Sequence, residues 1–322
     1  APLCNPSRTA IMTGIRPSTS GIYHNGQPWR ESPMLSHAVT LPQHLIGHGY
    51  HALGAGKIFH GADPGSWHEY WPSKLITKPN DPWPEELPLN GIPDFGHFDW
   101  GPIDVAVDEM GDWQVADWVA RQLHREYDRP FFLGCGFFKP HLPWYVPRKY
   151  FEMYPLDQIA LPEVKADDLD DLPPIGRKIA RSMDDHAKII RHGQWRQAVR
   201  AYLACISFVD DCVGRVMYAL DRSRYAQNTI VVLWSDQGWH LGEKLHWRKW
   251  TLWEEATHRI LIFVAPGITK ANTRCDAPVS LMDIYPTLID LCGLDPREEL
   301  EGVSLLPLLR DPGAEWDRPA LI

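Results

Sequence analysis

A mainly parallel α/β sheet with helices on both faces is the fold class the sequence predicts. Short apolar runs alternate with stretches of helical period, the pattern of a sheet whose crossovers are helices. Three segments dense in ionisable residues, Lys57/His60, Lys139/His141 and Asp236/Gln237, each follow one of those runs, and ligands of such sheets bind beyond the carboxyl ends of the strands. Size and balance agree: 322 residues, 44% hydrophobic and 23% charged, suit one large domain with a true core.

Taken along the chain, residues 7–14 read as a short helix entered from Pro6 and closed by Gly14, with Cys4 just ahead of it. Residues 43–48 continue a helical segment, and 50–53 form a strand leading into Lys57 and His60. Residues 62–110, rich in Pro, Trp, Gly and Asp without a period, read as long surface loops that could wall a substrate. Residues 112–124 are a helix feeding a buried strand over 131–138, which Lys139-Pro-His-Leu-Pro143 ends. The clearest helix covers 195–221. A β-branched buried strand follows over 229–234 and stops at Ser235-Asp-Gln-Gly238; a strand over 260–265 and a helix around 282–292 complete the alternation.

Charge narrows the function. With 41 acidic and 32 basic residues the formal charge is −9, so no broad basic field attracts nucleic acid. An anionic substrate would have to be held by local Lys, Arg and His, of which there are 15 His. The six cysteines show neither C-x-x-C pairs nor a disulfide framework. No apolar run approaches the ~20 residues that span a bilayer. The chain starts at Ala1 with a chemically rich segment at residue four, and 317–322 stop where a new strand would begin. Both ends read as truncated, so a missing targeting sequence carries no information.

Several residues stand out for chemistry. Cys4 at a helix N-terminus, with Arg8 one turn in, describes a nucleophile in an electropositive pocket; the plain alternative is a small apolar residue and a surface charge. Asp236 and Gln237 offer two hard oxygens to a divalent cation, or simply cap a turn. Lys57 and His60 pair a cation with an imidazole, against a solvated lysine and a packed histidine. Trp239, His240 and Glu243 could line a subsite, the Trp stacking on a sugar face, or could be ordinary packing. Asp210 and Asp211 on the long helix read as structural or exposed.

Cys4-Asn-Pro-Ser-Arg8 followed by Thr13-Gly14 resembles the C-x-P-S-R signature of type I sulfatases, and Gly56-Lys-Ile-Phe-His60 and Lys139-Pro-His141 are similar to segments of the iduronate sulfatase branch. The resemblance runs from Cys4 to about Pro286. It implies an alkaline-phosphatase-like sandwich lacking its first strand and most of a C-terminal subdomain, with a catalytic domain over 1–310 and the start of that subdomain over 311–322. By the same resemblance a maturation enzyme converts Cys4 to formylglycine, whose hydrated form attacks sulfur, and Arg8 pairs with the modified residue. Lys57 would bind a sulfate oxygen, His60 would take a proton so that sulfate leaves, and His141 would protonate the leaving group. Lys249 would bridge sulfate and leaving oxygen, with Arg248 as the neighbouring rival. Asp236, Gln237 and modified Cys4 would ligate calcium or magnesium. The family's other metal ligands, an Asp pair on the first strand, are missing from these residues, so a protein of these 322 residues alone is expected to be poorly metallated and inactive. The expected reaction is hydrolysis of sulfate monoesters of a sugar or polysaccharide by an exported enzyme. Alternatives are an inactive remnant or sulfated-glycan binding module, and a phosphoesterase of the same superfamily, against which Cys4 in its motif argues.

Overall fold

The computed structural model describes residues 1–165, 167–180 and 184–322. Its central layer is three parallel strands in the order Glu69–Trp71, His51–Gly56, Phe131–Gly136. His51–Gly56 is central because its small residues let large rings close over it: a Cβ on Gly54 would come within 2.6 Å of the Tyr70 ring. A second parallel pair joins Trp100–Ile103 to Trp144–Pro147. Val231–Trp234 pairs antiparallel with Leu261–Val264, and His240–Leu241 antiparallel with Trp247–Arg248. The α/β class and the parallel layer match the sequence expectation, with these antiparallel pairs added.

Helices Gly111–Leu123 and Trp195–Asp221 pack on each other and on the strands. They bury Val115, Ala116, Val119, Ala204, Cys205 and Phe208, one face of each at the 3.6-residue period. The aromatic core beside them stacks Phe98, Trp144 and Trp247 edge to face. All six cysteines are free, and burial pushes the Cys205 thiol up to about 12. Among the described residues no helix is long and apolar enough to cross a membrane.

Three details differ from expectation. The first helix is Cys4–Thr13, not 7–14, so Cys4 lies inside its first turn; Pro6 sits in that turn, where a missing N–H costs nothing. Gly14 ends it in the left-handed region at φ 72°. Residues 62–110 contain two strands, Glu69–Trp71 and Trp100–Ile103, each too short to show a period. Phe131–Gly136 and Val231–Trp234, expected as buried, are mostly half-buried, and each is paired on one side only among the described residues.

The Leu41–Gly47 helix positions the central strand through a capping box in which Thr40 and Gln43 exchange side-chain and backbone hydrogen bonds. Thr40→Ala should lower unfolding free energy by ~1 kcal/mol, read as a fall in the urea midpoint at unchanged slope.

Candidate active site

Two strands end side by side, Gly56 opposite Gly136. Gly56 has φ 74°, and a Cβ there would lie 2.0 Å from the Gly136 carbonyl oxygen; Lys57 N donates to that oxygen at 2.8 Å. Bare backbone on both strands is what lets the loops carrying Lys57/His60 and Lys139/His141 converge. Asp112 then fixes the second loop, accepting from Phe138 N at 2.7 Å and Lys139 N at 2.8 Å. It is fully buried, and burial pushes its carboxyl up to about 6. Sequence reading saw Asp112 only as a helix start; an acid in the first turn of a helix was the one signal available.

The Cys4 helix meets these loops and the end of Val231–Trp234. Ser7 Oγ donates to Asp236 O at 2.6 Å, and Arg8 Nε to Asp236 Oδ2 at 2.7 Å. Arg8 Nη1 donates to Lys57 O and, at 3.0 Å, to Ile58 O. Lys249 Nζ lies 3.0 Å from Cys4 Sγ, and Gln237 Nε2 3.8 Å from it. Cys4, Arg8, Lys57, Asp236, Gln237 and Lys249 therefore come together from four parts of the chain. Lys139 is not part of the cluster: its ammonium is buried against Pro143 O at 2.7 Å, tying off its own turn.

Three cations, Arg8, Lys57 and Lys249, act here against one carboxylate, and the neighbouring groups show it. Burial and the charges of Lys57, Arg8 and Lys249 drive His60 down to about 4; burial, Lys249 and Lys57 drive His141 to about 2. Burial also lowers Lys57 to about 8, opposed by Cys4 and Asp236. For Asp236 burial works upward, but Arg8, Lys57 and Lys249 hold it below its ordinary value. Neither imidazole is poised near neutral pH among these charges. His141 Nδ1 donates to Leu142 O at 2.7 Å, so its Nε2 is the nitrogen left for chemistry.

Other candidates fall elsewhere. Trp239 is buried, with its ring near His141 and under the Lys249 ammonium, so it walls the cluster. His240 corrects the subsite expectation: it is wholly buried, with its Nε2 2.7 Å from Thr251 Oγ1. Glu243 spends its carboxylate on Leu241 N at 2.6 Å, closing a turn. Arg248 turns away from Cys4 to pair with Asp185. Asp211 accepts from the Tyr150 hydroxyl at 2.7 Å, a structural role. A cavity of about 1070 Å³ touches Asp236 and Gln237 but none of Lys57, His60 and His141, so it opens beside the side-chain cluster and does not enclose it.

For a divalent cation the fit is partial. Gln237 Oε1 is buried with no hydrogen-bond partner, an orphaned hard oxygen beside the Asp236 carboxylate. Yet Asp236 is already paired with Arg8, and among the described residues no group of three or more His, Cys, Asp or Glu is arranged to hold a metal. Two such side chains are well short of the ~6–8 oxygens calcium takes.

The sulfatase family model matches residues 1–294. The chain is 40% identical to a sulfatase of Formosa agariphila, aligned over 96% of this chain and 64% of that protein. It is 32% identical to iduronate 2-sulfatase of Homo sapiens, over 95% and 60%. It thus spans less than two thirds of the length of these curated relatives. In fold it superposes on a 2-O GAG sulfatase structure with a TM-score of 0.72 at 23% identity, covering 99% of this chain and 66% of that one, the alkaline-phosphatase-like architecture. On this sequence and fold, the chain belongs to the sulfatase family.

Proposed function

We propose that the protein hydrolyses sulfate monoesters of a sulfated sugar, with a nucleophile made by oxidation of Cys4. The observation that carries this is the convergence of Arg8, Lys57 and Lys249 on Cys4 with a single carboxylate among them. Excess positive charge around a nucleophile suits a transferring sulfuryl group, whose charge must be offset as its ester bond breaks. The relative named iduronate 2-sulfatase supports a sugar substrate.

Cys4 Sγ stands where the oxygens of hydrated formylglycine would be, and that residue supplies the oxygen that attacks sulfur. Lys57 and Lys249 bind sulfate oxygens. Arg8 fixes Asp236 and the Lys57 backbone, so the cradle is preformed. His141 Nε2 hands a proton to the departing sugar oxygen, and His60 accepts the proton whose loss lets sulfate leave. Asp236 and Gln237, with oxidised Cys4, would hold part of a calcium or magnesium shell; such an ion would withdraw charge from sulfate.

His141 can donate only when protonated, and the bound sulfate itself provides the means. A bound sulfate group beside His141 favours its charged form, so its value should rise from about 2 on binding. Sulfate binding at pH 6 should take up protons, and affinity should increase as pH falls toward the free-site value. Affinity should decline as pH rises through about 8, where Lys57 loses its charge. Calorimetric titration with inorganic sulfate in two buffers of different ionisation enthalpy measures this; identical heats at pH 6 would rule out the proton coupling.

The decisive experiment is peptide mass analysis of Cys4 in the natural full-length protein from a host with a formylglycine-generating system, alongside hydrolysis of sulfated sugars. A loss of ~18 Da and release of sulfate are expected. Unmodified Cys4, with the host's system working on a control protein, would turn the reading to a sulfated-glycan binding module.

A further inference from the structure

Lys249 reaches Cys4 from a backbone that should not hold itself. Lys244, Leu245, Arg248 and Trp250 all have positive φ, 57°, 53°, 76° and 76°. Side-chain-bearing residues stay in that region only where their surroundings impose it. Arg248 supplies the strongest such restraint. Its Nε donates to Asp185 Oδ2 at 2.5 Å and its Nη2 to Oδ1 at 3.1 Å, a two-pronged pair with Asp185 only 5% exposed. The guanidinium also lies over the Phe98 ring, 4.6 Å from its centroid. The same neighbourhood grips both flanks: His246 Nδ1 is 2.7 Å from Ala180 O, and Trp247 Nε1 donates to His186 Nδ1 at 3.1 Å.

We infer that Asp185 and Arg248 are positioning residues for Lys249, an ion pair that pins the turn from behind so that the ammonium is delivered to the sulfate cradle. This rests on the reading of Lys249 as a sulfate ligand. Lys249 follows Arg248 directly in the chain, so a guanidinium locked on Asp185 fixes the backbone from which the Lys249 side chain departs. The planar fork of arginine suits this task, since two parallel hydrogen bonds to one carboxylate define an orientation and a single charge does not.

The test is a double-mutant cycle read as affinity for inorganic sulfate, using the natural full-length protein. Asp185→Asn is the primary change because it removes the charge without leaving a buried anion unpaired; Arg248→Lys, which keeps charge and loses the fork, is the second. Either should weaken sulfate binding roughly tenfold, as loss of a partner behind a ligand does; because breaking a buried pair also lowers the melting temperature, affinity is measured well below each variant's melting transition. In a Lys249→Ala background neither should weaken it further. Equal losses with and without Lys249, or full affinity in both single variants, would overturn the positioning role. Lys249→Ala binding sulfate as tightly as the parent would instead sink the underlying reading of Lys249.

Discussion

Cys4→Ala is expected to lower kcat for sulfate-ester hydrolysis by at least ~10⁴-fold, the scale seen when a covalent nucleophile is removed. Sulfate binding should survive, because the groups proposed to bind it remain and the helix keeps Ser7 and Arg8 against Asp236. That separation is what makes the variant informative. A folding defect would reduce binding and turnover together, whereas loss of the nucleophile removes turnover alone. Steady-state kinetics on an aryl sulfate, with sulfate affinity measured on the same sample, decides it; activity within tenfold of the parent would exclude Cys4 as the nucleophile.

Arg8→Ala should cost stability as well as activity, by ~3–5 kcal/mol, since it leaves a buried carboxylate without its partner. Asp236 and Arg8 are both about nine-tenths buried, and Arg8 also satisfies the Lys57 and Ile58 carbonyls. Lysine at position 8 could not reach all three acceptors, so Arg8→Lys should recover little. Adding Asp236→Asn to Arg8→Ala should restore part of the loss by removing the stranded charge. The pH dependence has a definite sign. The Asp236 carboxyl is held below its ordinary value, so the pair's contribution is present above about pH 4 and fades as pH falls through the folded value. Urea melts of parent and variant should therefore converge in acid.

How much could be read from the sequence depended on how far each signal extends along the chain. Helix Trp195–Asp221 begins and ends where its pattern does because 27 residues give the 3.6 period room to repeat. Glu69–Trp71 and Trp100–Ile103 were missed because three or four residues cannot show one. The start of the Cys4 helix was misjudged because Pro6 reads as an entrance when it is part of the first turn. Lys57 and Asp236 were legible as local motifs following strands, and Cys4 and Arg8 as a motif at a helix N-terminus. What was not legible is pairing across distance: Asp112 under the Lys139 turn, or Asp185 behind Arg248, 63 residues away. The burial of His240 belongs to a two-residue strand no pattern announces.

The burial of every residue from Cys4 to Thr13 also sets a clock. If Cys4 is oxidised as proposed, a maturation enzyme cannot grip it in the finished fold, so conversion has to come first. The groups that close over Cys4, Asp236 and Lys249, are made more than two hundred residues later, the Lys249 contact spanning 245 positions. At ~5–20 residues per second, synthesis leaves the motif uncovered for roughly 10–50 s before its lid exists. The same long-range closure that builds the site thus holds the substrate of its own maturation open, and mutations that slow folding should raise, not lower, the fraction of Cys4 converted.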